Sequence, residues 1–182
     1  KKAITDKTRM IIINSPHNPS GATISKDDLK ELERLTKDTE ILVLSDEVYE
    51  HIVFDGKEHN SILASEELRK RAVATFSFGK TFHATGWRMG YAAGPARLID
   101  EMAKLQQQTF VCAPSVMQHA MIGAYDIDLA PLIETFTTRR DMVTEILGDV
   151  MELVVPEGAF YAFPKVPESL SMTGAQFFER AI

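Results

Sequence analysis

The chain has 182 residues, 45% hydrophobic and 25% charged, with a formal net charge of −6. That is enough for one domain with a real core, or one domain and part of a second. The acidic balance argues against a nucleic acid or anionic membrane partner, both of which need a basic face, and no apolar run approaches the ~20 residues of a membrane span.

The first half alternates strand and helix patterns. Met10-Ile11-Ile12-Ile13 is a short β-branched run before a proline-rich turn, as in a buried strand of a parallel sheet. Ser25 with Asp28 three residues on predicts a capped helix with Leu29, Leu32 and Leu35 on one stripe. Ile41 to Leu44 predicts a second strand ending at Ser45-Asp46, and Ser65-Glu66-Glu67 a short helix. Val73 to Phe78 and Tyr91 to Ala93 predict a third and a fourth strand. Strands separated by helices imply βαβ units and a parallel core sheet. The second half is mostly helical: one helix after Gly94-Pro95, one after Pro114, and a longer one carrying Leu129, Ile133, Phe136, Val143, Ile146 and Val150. These Leu and Met stripes are expected in the core. Leu153 to Val155 and Phe160 to Phe163 predict two further strands. The change of pattern places a boundary between residues 1–125 and 126–182. The only cysteine, Cys112, rules out an internal disulfide, fits a reducing compartment and is expected to be buried and inert. Lys1 to Asp6 form no signal peptide. The missing initiator methionine and the helical pattern at Arg180-Ala181-Ile182 suggest an internal piece of a longer chain, with apolar surface exposed where missing strands should pack.

In open α/β sheets ligands bind beyond the carboxyl ends of the strands. The first predicted strand is followed by Asn14 to Gly21, the second by Asp46-Glu47-Val48-Tyr49, and the third by Ser77 to Lys80 and then Thr85 to Gly90. Those tips supply Asn18, Asp46, Tyr49, Ser77, Lys80 and Arg88. Each alone has a plain structural reading: a turn asparagine, a cap, a packed aromatic, a solvated lysine, a salt-bridge arginine. The six together, each at a strand end, point to one crevice. Glu47, Glu50, His51, Asp55, Glu58 and His59 crowd one stretch in no common metal-ligand spacing, and are expected to form a solvated face.

Ser15 to Gly21 resembles the NPxNPTG signature of class I/II aminotransferases of pyridoxal-phosphate (PLP) fold type I. Asp46-Glu47-Val48-Tyr49 matches their D-E-x-Y strand end, and SFGKTFHATGWRMG (Ser77 to Gly90) their S-x-x-K signature with its downstream arginine. Gly158-Ala159-Phe160-Tyr161 resembles a glycine-aromatic segment of their small domain. The Pro16-His17-Asn18-Pro19 variant is most similar to the methionine and kynurenine/glutamine aminotransferase branch. The resemblance implies part of a doubly wound, mostly parallel sheet (the PLP-binding large domain) followed by the start of a small α+β domain. It implies a cytoplasmic homodimer that moves an amino group between a methionine, aromatic or glutamine-like amino acid and a 2-oxo acid.

It also implies roles. Lys80 would bond the cofactor aldehyde and then move the proton from Cα to C4′. Asp46 would keep the pyridine nitrogen protonated. Asn18 and Tyr49 would bond the phenolic oxygen, and Ser77 and Arg88 part of the phosphate. The family's upstream phosphate loop and its carboxylate-binding arginine near the C-terminus lie outside this chain, and Gly79 stands where many members have Ser. The isolated piece is accordingly expected to be inactive. Two rivals share the fold: a PLP-dependent C–S β-lyase, against which Tyr49 weighs, and a PLP-sensing domain of a transcription regulator.

Overall fold

The computed structural model describes residues 3–182. Four strands form one sheet in the order β1 (Met10–Asn14), β2 (Leu42–Asp46), β3 (Ala72–Ser77) and β4 (Gly90–Ala93). β1, β2 and β3 run parallel, with Asn14 beside Asp46 and Asp46 beside Thr75. β4 returns antiparallel, with Gly90 opposite Ser77. The sheet is therefore mixed, not parallel throughout. The connection from β3 to β4 is a short turn of helix, α3 (Phe78–Thr81), and a 3-10 turn, too short for a parallel crossover.

Between β1 and β2, α1 (Lys26–Thr36) starts at a capping box: Ser25 accepts from Asp28 N, and the Asp28 carboxylate accepts from Ser25 N. α2 (Glu66–Arg69) starts at Ser65, whose hydroxyl accepts from Leu68 N. Leu29, Val43, Ile62, Leu68, Ala72, Ala74 and Phe76 form the core between these helices and the sheet. Burial of each large side chain contributes roughly 1.5–3 kcal/mol. The other face of the sheet is partly bare, with Ile12 70% exposed.

The second half holds α4 (Ala96–Thr109), α5 (Ser115–Ile122), α6 (Ala130–Gly148) and α7 (Gly174–Ala181). The apolar stripes expected in the core are only partly covered. Ile133 and Phe136 of α6 pack against Tyr49, Ile52, Phe54 and Ala159. Leu105 of α4 is 67% exposed, and Met102, Val143, Ile146 and Val150 are exposed too. Among the described residues no other element packs closely on α4 or α6 to cover those faces. Cys112 is likewise exposed, not buried, in the segment that leaves α4.

The two strands expected at 153–155 and 160–163 do not form. Val154 is exposed, and Ala159 adopts φ +58, a left-handed conformation that breaks an extended run. One isolated bridge, Val53 to Gly158, remains. Phe54 N donates to Glu157 O at 3.0 Å and Ala159 N to Ile52 O at 2.9 Å, so this segment is laced to residues 52–54. Arg140 of α6 adds a clasp: it pairs with Asp55 at 2.6 Å and lies over the Phe54 ring at 4.9 Å.

Gly21 joins the first turn to the same segment. Its carbonyl accepts from Glu157 N and Gly158 N, both at 2.9 Å. It sits at φ +72, and an added Cβ would fall 2.5 Å from Pro156 Cβ. Gly21→Ala is expected to cost about 2–4 kcal/mol, combining left-handed strain with overpacking. Gly56, at φ +68 with open space around it, is the control and should cost about 1 kcal/mol. Urea unfolding of both variants measures the difference, and equal losses would count against the clash.

Candidate active site

The carboxyl ends of β1, β2 and β3 lie side by side, so the residues just beyond them converge. Asn14, the last residue of β1, joins two of these ends. Its Nδ2 donates to Asp46 O at 2.9 Å, and its Oδ1 accepts from Asn18 N at 2.7 Å. The turn between carries cis bonds at Ser15–Pro16 and Asn18–Pro19. Asp46 ends β2, and its Oδ1 accepts from Val48 N at 3.4 Å.

Tyr49 comes next and is 2% exposed. Its hydroxyl lies 2.5 Å from the Tyr161 hydroxyl, which also accepts from Asn18 Nδ2 at 3.2 Å. Burial, with Tyr161 and the Asp46 charge adding to it, pushes the Tyr49 phenol above the ordinary tyrosine range. Tyr49 therefore keeps its proton at neutral pH and can donate it.

Lys80 lies on α3, half-buried, with Nζ 5.6 Å from the centre of the Tyr49 ring. Ser77 caps that helix, its Oγ accepting from Gly79 N at 3.1 Å. Thr85 Oγ1 donates to Gly79 O at 2.8 Å and pulls the loop back over the lysine. Arg88, at φ +55, donates through Nη1 to Thr85 O at 3.2 Å. Ser77, Lys80, Thr85, Arg88 and Gly90 wall one cleft of about 320 Å³. On its other side Lys80 borders a cleft walled by His83, Phe136 and Phe160.

The structure thus groups five of the six residues as Asn18 with Tyr49, and Ser77 with Lys80 and Arg88, with Asp46 at the end of β2. Lys80 over the Tyr49 ring and the Asp46 charge felt by Tyr49 connect the groups. Asn14 and Tyr161 are additions. The polarity of Asn14 at the end of an apolar strand was a usable signal for the first; nothing local signals the second, which reaches the site from far along the chain.

The acidic and histidine-rich stretch is solvated only in part: His51, Asp55 and Glu58 are exposed, whereas Glu47, Glu50 and His59 turn inward. Glu47 is 1% exposed. Its Oε1 accepts from Ser45 Oγ at 2.8 Å and Ile62 N at 3.0 Å, and its Oε2 meets His59 Nε2 at 2.7 Å. Burial alone would raise its pKa, but the bonds from His59, Ile62 and Ser61 outweigh it and hold the carboxyl below the usual range. Glu50 goes the other way. Burial, reinforced by Glu47 and opposed by His59, raises it to about 7. Among the described residues no group of three or more such side chains is placed to hold a metal ion, and no helix is long and apolar enough to cross a membrane.

Comparison with known proteins agrees with this geometry. Residues 1–181 match the family described as aminotransferase class I and II. An aspartate aminotransferase of Pyrococcus abyssi is 35% identical over 98% of this chain and 47% of its own length. A crystal structure of an aromatic aminotransferase from Pyrococcus horikoshii superposes with a TM-score of 0.92 at 36% identity, over 98% of this chain and 49% of that one. Escherichia coli YbdL, described as having a methionine aminotransferase function, superposes at 0.90 with 33% identity, over 97% of this chain and 47% of that one. The chain spans about half the length of the relatives it matches. With its strand-end residues and its match over almost every residue, this chain belongs to the class I and II aminotransferases, a family of PLP-dependent enzymes.

Proposed function

We propose that the full-length protein is a transaminase that carries the amino group of an α-amino acid to a 2-oxo acid, with Lys80 as the residue that bonds PLP. The observation that carries this reading is the cleft shared by Lys80, Ser77, Thr85 and Arg88 beside the buried Tyr49. The donor set fits the cofactor. It offers a carboxylate for a pyridinium nitrogen, hydroxyls and a guanidinium for a phosphate, an amide and a phenol for a phenolic oxygen, and an amine for an aldehyde.

When bound, PLP supplies a sink for the electron pair released at the substrate Cα. Asp46 would hold a proton at the ring nitrogen, which would deepen that sink. Asn18 and Tyr49 donate to the phenolic oxygen. Ser77 donates its hydroxyl proton, and Arg88 its guanidinium protons, to the phosphate. With the cofactor bound, the Lys80 amine would serve as the base that takes the proton from the substrate Cα and gives it back on the cofactor side.

The names of relatives, which include aspartate, aromatic and methionine aminotransferases, support an amino acid substrate. The Phe136 and Phe160 walls beside Lys80 support a methionine or aromatic side chain over an acidic one. The bare apolar faces of α4 and α6 support further packing in the full-length protein, within the chain and in a homodimer. Residues 1–125 serve in this reading as part of the cofactor-binding domain and 126–182 as the connecting helix and start of the small domain. The net charge of −6 supports small-molecule partners over nucleic acid. The reading extends to the cytoplasm as the place of action.

The test is the absorption spectrum of the full-length protein with PLP. A visible band lost on borohydride reduction is expected, as lysine imine chemistry requires. Methionine or an aromatic amino acid should bleach the band without freeing ammonia. Ammonia release from a cysteine-type thioether would make the protein a β-lyase, a band that no amino acid bleaches would leave a PLP-sensing domain, and the absence of any band would overturn the proposal.

A further inference from the structure

The Tyr161 hydroxyl sits between the two groups assigned to the cofactor's phenolic oxygen, 2.5 Å from Tyr49 Oη and 3.2 Å from Asn18 Nδ2. We infer that Tyr161 is a positioning residue for the cofactor, a relay that turns the Tyr49 hydroxyl into an oriented donor. The inference rests on the transaminase proposal.

Either hydroxyl of the Tyr49–Tyr161 pair can donate to the other; directing the Tyr49 proton at the cofactor makes Tyr161 the donor. Asn18 Nδ2 can only donate, so the Tyr161 oxygen accepts there. Its one proton is then available to the Tyr49 oxygen. Tyr49 keeps its own proton and points it at a third acceptor, the phenolic oxygen. Each donor in such a chain is strengthened by the bond it accepts. Asn18 has a second Nδ2 proton for the same oxygen, so one amide both starts the relay and bounds its end.

Tyr161 is held for this task. Its ring meets the Tyr49 ring edge-on at 5.6 Å and lies 5.0 Å from Phe160. The bonds of residues 157 and 159 to residues 52–54 fix the chain just before it. At Gly158, which forms the bridge to Val53, an added Cβ would fall 2.8 Å from Ile52 O, so the backbone there can come this close only as glycine. Asp46, whose charge acts on Tyr49, and Lys80, above its ring, are the charged groups at the pair.

Tyr161→Phe removes the hydroxyl and keeps the ring. In the PLP-loaded full-length protein, the visible band titrates with the nitrogen that joins Lys80 to the cofactor. A strong donor at the phenolic oxygen favours the unprotonated form of that nitrogen, so weakening it raises the midpoint. Cooperative strengthening of about 10–30% of a charge-assisted hydrogen bond corresponds to an upward shift of roughly 0.2–0.6 pH unit. Tyr49→Phe should shift the midpoint further. Adding Tyr161→Phe to Tyr49→Phe should then change nothing more, because the relay already lacks its last member. An unmoved midpoint in Tyr161→Phe, or additive shifts in the double variant, would overturn the inference. If the unsubstituted protein shows no visible band, it is the transaminase proposal that fails.

Discussion

Lys80→Ala is expected to lower turnover of the full-length protein by at least about 10²–10⁴-fold, the contribution of a positioned general base. The loss should fall on kcat. In the proposed site Asp46, Ser77, Arg88, Asn18 and Tyr49 would share the cofactor's polar contacts, and the substitution keeps all five side chains, so binding of PLP should persist without the covalent bond. Lys80→Arg is the sharper variant. It keeps a cation above the Tyr49 ring, yet a guanidinium is always protonated and serves neither as nucleophile nor as base. Its loss should match that of alanine. Lys104→Ala, which removes an exposed lysine paired with Glu101 on α4, should leave turnover unchanged. Steady-state kinetics with a methionine or aromatic donor checks all three. Retained turnover in Lys80→Arg would move the chemistry to another residue.

Glu47→Ala is expected to destabilise the protein by about 3 kcal/mol, since buried donors that lose their acceptor cost about 1–3 kcal/mol each. One carboxylate serves the Ser45 hydroxyl, the Ile62 amide and His59 Nε2. His59 already has its Nδ1 buried without a partner, so it has no second anchor. The pH dependence has a definite sign. A carboxyl held below its unfolded pKa contributes stability above the unfolded value, and that contribution is lost as pH falls through the folded value. The gap between Glu47→Ala and the unsubstituted protein should therefore be full at pH 7 and shrink toward pH 3. Denaturant unfolding across that range reads it. A gap that stays constant into acid would assign the loss to packing alone.

The elements of the first half were legible because each rests on local chemistry. The β-branched runs at Met10 to Ile13 and Ile41 to Leu44 form strands, and Ser25 and Ser65 cap helices as their spacing predicts. The direction of β4 was not legible, because it depends on how tightly the Thr85 turn folds back. The strand patterns at 153–155 and 160–163 misled, because alternation records which residues prefer extension, while a ladder also needs a partner edge. Five of the six candidate residues were legible because each stands at or just beyond the carboxyl end of a strand, where an open α/β sheet receives its ligand, and Arg88 reaches the same edge because antiparallel β4 starts beside Ser77. Glu47 was misread as solvated because the burial of a charged side chain depends on its partners, and His59 lies twelve residues on.

The bond from Asn18 to Tyr161 spans 143 residues, and that from Tyr49 to Tyr161 spans 112. During synthesis the three-stranded parallel core can form once β3 has emerged. The polar end of the crevice cannot, because its last hydroxyl is made only after α6. Closing so long a loop is slow, and its entropic cost is met only once the native contacts form. A nascent chain therefore carries Asn18 and Tyr49 without their Tyr161 partner for much of its synthesis, and that polar end of the crevice closes as a late, discrete event.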